Sequence, residues 1–137
     1  MPLVLSSAKA LLHHQGRVLL LRETLHHGDV WDLPGGKIEY GESPQQALQR
    51  EVKEELDLQV EVQRSVGVWY FFSTAHRHQV ICHTFWCAVR GSLQIDTSKN
   101  PAAENITAWR WLSIAEILAS PELELADSLR ELLAELK

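Results

Sequence analysis

The chain has 137 residues, 45% of them hydrophobic, and a formal net charge of −5. That length suits one compact domain with a real core and excludes general disorder. The acidic balance excludes binding to nucleic acid by charge alone, although metal ions can bridge an acidic site to an anionic nucleotide.

The opening residues, MPLVLSSAKALLHH, do not read as a signal peptide, because Lys9 and the Ser6-Ser7 pair interrupt any apolar run. No segment approaches the length of a membrane span. The expectation is a soluble, cytoplasmic protein, monomeric or homodimeric. Residues 3–12 are mostly apolar and read as a strand, and His14-Gln15-Gly16 suits a hairpin turn. Residues 17–22 read as a buried strand, and the polar run 23–29 as a loop leading to Trp31. His13-His14, His26-His27, His76 and His78 fall in predicted turns, and His83 in a strand.

A helix is predicted over residues 44–56. Ser43 can cap it, Pro44 suits the first helical position, and Gln46 completes a capping box. At 100° per residue, Leu48, Val52 and Leu56 form an apolar stripe that should face a sheet. Gln45, Gln49 and Lys53 fall outside, with Glu51, Glu54 and Glu55 beside the stripe. Strands follow over 59–66, 68–72, 80–89 and 106–112, with a turn through 73–77. Ser113 and Glu116 make a second capping box. Ser120-Pro121 is the predicted start of a last helix, with Leu125, Leu129, Leu132, Leu133 and Leu136 as its stripe. This order predicts an α/β or α+β sandwich, a mixed sheet covered by helices, in one domain over 1–137. Cys82 and Cys87 are too few for a disulfide scaffold and read as reduced thiols.

The chemistry concentrates at Glu51, Glu54 and Glu55, which have the i, i+3, i+4 spacing of helix neighbours. At about 4 Å and an effective dielectric near 20, each carboxylate pair repels by about 4 kcal/mol before relaxation. A hard divalent cation reverses that sign. Mg2+ suits the oxygen ligands best, with Mn2+ as a substitute, and it keeps room for water and phosphate. Gly35-Gly36 lets a ligand approach the main chain, so a carbonyl there can complete the metal shell. Lys37 and Arg22 are candidate phosphate partners. Five tryptophans offer stacking surfaces for a base, and Trp31 stands beside the glycine turn as a candidate substrate contact. In residues 69–72, alternation sends Trp69 and Phe71 to one face and Tyr70 and Phe72 to the other, and one pair can line a base pocket.

The run from Gly36 through Glu42, Arg50-Glu51-Val52 and Glu54-Glu55 to Asp57-Leu58 resembles the Nudix box of the Nudix hydrolases, the MutT-like family. That pattern is G-x5-E-x7-R-E-U-x-E-E-x-G-U, with U a bulky apolar residue. Residues 36–58 match it at every fixed position but one, where Asp57 replaces the last glycine. Trp31-Asp32-Leu33-Pro34-Gly35-Gly36 also resembles the family. The resemblance implies an α/β/α sandwich and hydrolysis of a nucleoside diphosphate linked to another group. The small-molecule substrate would be a nucleoside triphosphate, a modified one, or a nucleotide sugar. It implies that Glu51, Glu54 and Glu55 hold Mg2+ with a carbonyl of Gly35 or Gly36, and that Arg50 orients them. Glu54 or Glu51 would be the general base, with Glu104 a further metal-ligand or base candidate, and Glu42 would order the loop. Asp57 should keep the left-handed backbone of the missing glycine at a small cost in stability. Two other readings share the fold. One is a non-catalytic nucleotide sensor, which an intact set of glutamates disfavours. The other is an isoprenoid diphosphate isomerase, whose cysteine acid would have to come from a strand that reads as core.

Overall fold

The computed structural model describes residues 1–25, 28–73, 76–100 and 105–136. Its elements run β1 (Leu3–His14), β2 (Arg17–Leu25), β3 (Gly28–Asp32), β4 (Gly35–Lys37), α1 (Pro44–Leu56), β5 (Gln59–Ser73), β6 (His78–Arg90), β7 (Ile106–Leu112), α2 (Ile114–Leu118) and α3 (Asp127–Leu136). The strands form one mixed sheet with neighbours in the order β3-β2-β1-β6-β5; β4 adds to β1 and β7 to β2. β1 and β6 run parallel, from Leu3 beside His78 to His13 beside Ala88. The other pairings are antiparallel.

β1 and β2 are joined through Gln15 and Gly16, both at positive φ, which suits a two-residue hairpin turn. They pair only beside it, at His13–Val18 and His14–Arg17. Farther on, the open flank of β1 takes β4, where Lys9 pairs with Gly35, Ala8 with Gly36 and Ser7 with Lys37. β2 instead pairs with β3 and β7. The glycine turn is thus built into the middle of the sheet.

Each face of the sheet carries its own core. α1 buries Leu48, Val52 and Leu56, the predicted stripe, against Ala8, Ala10, Leu12, Leu19, Leu21, Phe85 and Cys87, and Ala47 is buried as well. Full burial of each such leucine contributes about 1.5–3 kcal/mol. On the other face Leu129, Leu132 and Leu133 of α3 join Ile117 of α2 and Trp69, Leu11 and Leu20 of the sheet. Helix, sheet and helix are therefore stacked as an α/β/α sandwich, as expected.

Several boundaries differ from expectation. The predicted loop over 23–29 is largely strand: β2 continues to Leu25 and β3 begins at Gly28, while His26-His27 lie outside the described residues. Residues 59–73 form one strand, with register shifts between Val62 and Gly67 where two strands were expected. α3 starts at Asp127, six residues after Pro121. Arg130 donates to the carbonyls of Ile117, Ser120 and Leu123, which satisfies this segment without a helix. Leu123 and Leu125 still reach the core from it. No described helix is long and apolar enough to cross a membrane.

Candidate active site

Local structure presents the box from two sides. α1 begins with both halves of the Ser43–Gln46 capping box and ends at Asp57, whose φ of 57° is left-handed. Asp57 donates its N–H to the Lys53 carbonyl, and its carboxylate meets Lys53 Nζ at 2.7 Å. Opposite the helix stands the Asp32–Lys37 segment. A Cβ on Gly35, at φ +134°, would overlap the Ala8 carbonyl. On Gly36 it would fall 2.5 Å from Glu51 Oε2. Gly35 is therefore required by its close approach to the β1 backbone, whereas a side chain at Gly36 would displace the Glu51 carboxylate.

Arg50 organises the carboxylates. Its Nε donates to Glu42 Oε2 at 2.7 Å and its Nη2 to Glu42 Oε1 at 2.9 Å, a two-pronged pair. Nη1 donates to Glu51 Oε1 at 2.9 Å and, longer, to Glu54 Oε2 at 3.4 Å. Nη2 also reaches the Lys37 carbonyl at 3.1 Å, tying helix to turn. The hydrogen bond from Arg50, with a second from the Glu39 N–H, holds the Glu42 carboxyl down at about 2. The same bond to Glu42 holds the guanidinium more firmly protonated than usual.

Glu55 differs from its neighbours. It accepts from the Gly35 N–H at 2.9 Å. Burial pushes its carboxyl up to about 8, against the opposing pull of Lys9 and the Gly35 N–H. Glu54 is the most exposed of the three, its side chain nearly half open to solvent. Among the described residues no three histidine, cysteine or carboxylate side chains already converge as a metal cage. The guanidinium of Arg50 supplies the positive charge between Glu51 and Glu54 that the spacing calls for. The donor set nonetheless fits a hard cation: three carboxylates and the backbone oxygens of a glycine turn, all oxygen, held where β4 meets α1.

The other candidates are dispersed. Arg22 donates to Thr107 Oγ1 at 3.0 Å and lies over the Trp31 ring at 5.9 Å. Alternation along β2 sends Arg22 to the face opposite Leu21, which packs with α1, so Arg22 and Trp31 form their own pair away from the glutamates. Lys37 is exposed beside the box. Glu104 lies outside the described residues. Trp69 is buried and Phe71 packs on the same core, whereas Tyr70 and Phe72 stand exposed. Both cysteine thiols are buried and pushed up to about 12 by that burial, which leaves them poorly suited to acid/base work. An ion pair that the sequence reading passed over lies behind the turn: Lys9 Nζ meets Asp32 Oδ2 at 2.9 Å. Its signal was a lysine inside an apolar strand, which requires a partner.

A family model described as NUDIX domain matches residues 6–136 of this geometry. Among similar proteins, a MutT-like protein of Streptomyces ambofaciens is 30% identical over 112 residues, 82% of this chain and 65% of its own length. The chain thus spans somewhat under two thirds of that relative. A CTP pyrophosphohydrolase of Escherichia coli (strain K12) is 32% identical over 106 residues, 62% of this chain and 76% of its own. Among solved structures, the MutT protein from Methanosarcina mazei Go1 superposes with a TM-score of 0.80 at 25% identity, covering 98% of this chain and 93% of that one.

Proposed function

The chain belongs to the NUDIX domain family, and on that footing we propose that it is a divalent-metal-dependent hydrolase of a nucleoside diphosphate linked to a second group. A nucleoside triphosphate, plain or modified, is the preferred substrate, with a nucleotide sugar next. The observation that carries this reading is the set of box glutamates, Glu51 and Glu54 bonded by Arg50 and Glu55 by the Gly35 N–H, against the Gly35-Gly36 turn.

Glu51, Glu54 and Glu55 would hold Mg2+, or Mn2+, with a carbonyl of the glycine turn. When bound, the ion polarises phosphate oxygens and lowers the pKa of water. Arg50 restrains the carboxylates, and Glu42 restrains Arg50. Glu54, the carboxylate most open to solvent, would take a proton from the attacking water, with Glu51 its alternate; its exposure supports this choice. Lys37, exposed beside the box, would meet a phosphate.

The sheet face that α1 covers at the glycine turn continues outward to exposed residues, and this supports a nucleotide substrate. Gly36, Ala8, His83 and Val68 form one row across four strands. Three strand spacings of about 4.8 Å carry that row across about 14 Å. Tyr70 and Phe72 extend it on the same face, 46% and 65% exposed, and offer rings on which a base can stack.

The test uses Glu54→Gln and Glu55→Gln, assayed with Mg2+ on a panel of nucleoside diphosphate derivatives. Both variants should lose turnover while keeping the circular dichroism spectrum of the parent. Nucleoside monophosphate and pyrophosphate among the parent's products would mark a triphosphate substrate. Full activity in both variants refutes the assignment, and tight nucleotide binding without any product would favour the sensor reading.

A further inference from the structure

Behind the glycine turn lies a charged residue that touches none of the box side chains through a hydrogen bond. Lys9 is 6% exposed, in a stretch of β1 whose neighbours are Ala8, Ala10, Leu11 and Leu12. Its Nζ donates to Asp32 Oδ2 at 2.9 Å and, longer, to the Leu33 carbonyl at 3.4 Å. The second oxygen of Asp32 accepts from the Leu33 N–H at 2.6 Å. Ala10 N–H bonds the Pro34 carbonyl at 2.9 Å, and Lys9 itself stands in register with Gly35. The next link is the Gly35 N–H on Glu55. An unbroken line of contacts therefore runs from the Lys9 ammonium through Asp32 and Leu33 to the glycine turn and a box carboxylate.

Stability alone gives little reason for such a pair. A buried ion pair is costly to desolvate, and replacing both partners by apolar residues of similar size is often neutral or stabilising. Charge at this position does something that packing cannot. It ties Asp32 and the Leu33 carbonyl to β1, just ahead of the backbone pairing that carries Pro34 and Gly35. We propose that Lys9 is a positioning residue which, together with Asp32, fixes the Gly35-Gly36 turn against the glutamates of α1. This rests on the hydrolase reading above, since it assigns the turn a part in the site. Lys9 is too enclosed to meet substrate, so it acts only through the turn.

Four variants test it: Lys9→Met, Lys9→Arg, Asp32→Asn and the double Lys9→Met/Asp32→Leu. The double variant keeps the site free of an unpaired charge, so it should fold with a melting temperature close to that of the parent. Its Gly35 amide should nevertheless exchange with solvent roughly ten times faster in the metal-free protein. Its kcat on the substrate cleaved by the parent should drop about 10- to 100-fold with KM little changed, because a small misplacement of positioned groups costs that much. Its Mn2+ affinity, measured on the protein alone by electron paramagnetic resonance, should fall by about 10-fold or more. Lys9→Arg should recover most of the kcat, and Asp32→Asn should lose kcat like the double variant. A double variant with the parent's kcat, Mn2+ affinity and Gly35 exchange overturns the proposal. So does a loss of kcat that merely follows loss of folded protein. A parent that cleaves nothing on the panel removes the hydrolase reading, and the exchange and Mn2+ measurements then still decide on Lys9.

Discussion

Arg50 and Glu42 show how one pair can set a site and leave a mark on stability. The Glu42 carboxyl, ordinarily near 4.5, sits at about 2 in the folded protein because Arg50 and the Glu39 N–H bond its ionised form. A carboxyl lowered on folding contributes stability above its unfolded pKa, and that contribution fades as pH falls through the folded value. Glu42→Gln should therefore be less stable than the parent at pH 7, and the gap should shrink from about pH 4.5 down to about pH 2. Urea unfolding at stepped pH measures this, and a gap that stays constant with pH would show that the ion pair is not its source. At this scale the box was legible, since carboxylates spaced i, i+3, i+4 and a double glycine announce themselves in sequence. In the structure Arg50 stands between two of the glutamates, Glu51 and Glu54. Spacing along a helix fixes which side chains are neighbours but not which of their partners lies between them. Arg22 was read as a phosphate partner for its charge, and Trp31 as a substrate contact for its place beside the turn. The pleat of β2 and β3 turns them instead towards each other.

The end of α1 shows what a departure from a family pattern costs. Asp57 occupies the left-handed conformation that glycine adopts freely, and it offsets the strain through Lys53 at 2.7 Å. A left-handed non-glycine residue costs about 1–2 kcal/mol, whereas an exposed i, i+4 ion pair returns only about 0.3–0.5 kcal/mol. Asp57→Gly should thus be neutral or stabilising by up to about 1 kcal/mol. Asp57→Val, β-branched and unable to pair with Lys53, should lose about 1–2 kcal/mol or more. Thermal unfolding of the three proteins ranks them, and a glycine variant that proves the weakest would contradict this account of the cap. Elements with strong local signals were readable: α1 has a cap, a proline and a clean stripe, and its bounds match expectation. β4 was not readable, because Gly35-Gly36-Lys37 has no strand composition and is extended only because β1 offers it a ladder. The late start of α3 was hidden for a similar reason. The turn after Pro121 is held by Arg130, nine positions on, and no local pattern reveals such a partner.

Across the whole molecule, the site exists because the sheet opens. β1 leaves β2 just past their turn, the Asp32–Lys37 segment fills the flank of β1, and α1 lies over it with its acidic edge towards the glycines. The C-terminal segment closes both outer strands: the Glu124 carbonyl accepts from the Trp31 N–H, and Ser128 bonds both backbone groups of Tyr70. Unpaired strand edges invite association, so these contacts guard against it. The sandwich could be inferred from the order of elements, but the opening could not, since it depends on pairings far apart in the chain. The central claim is that the box glutamates and the glycine turn together take up a divalent ion for phosphate chemistry. Mn2+ binding to the parent and to the triple variant Glu51→Gln/Glu54→Gln/Glu55→Gln, followed by electron paramagnetic resonance with and without nucleotide, tests that claim most directly. The parent should bind Mn2+ and the triple variant should bind it at least about 100-fold more weakly. Equal uptake by the two proteins, or none by the parent even with nucleotide present, would contradict it.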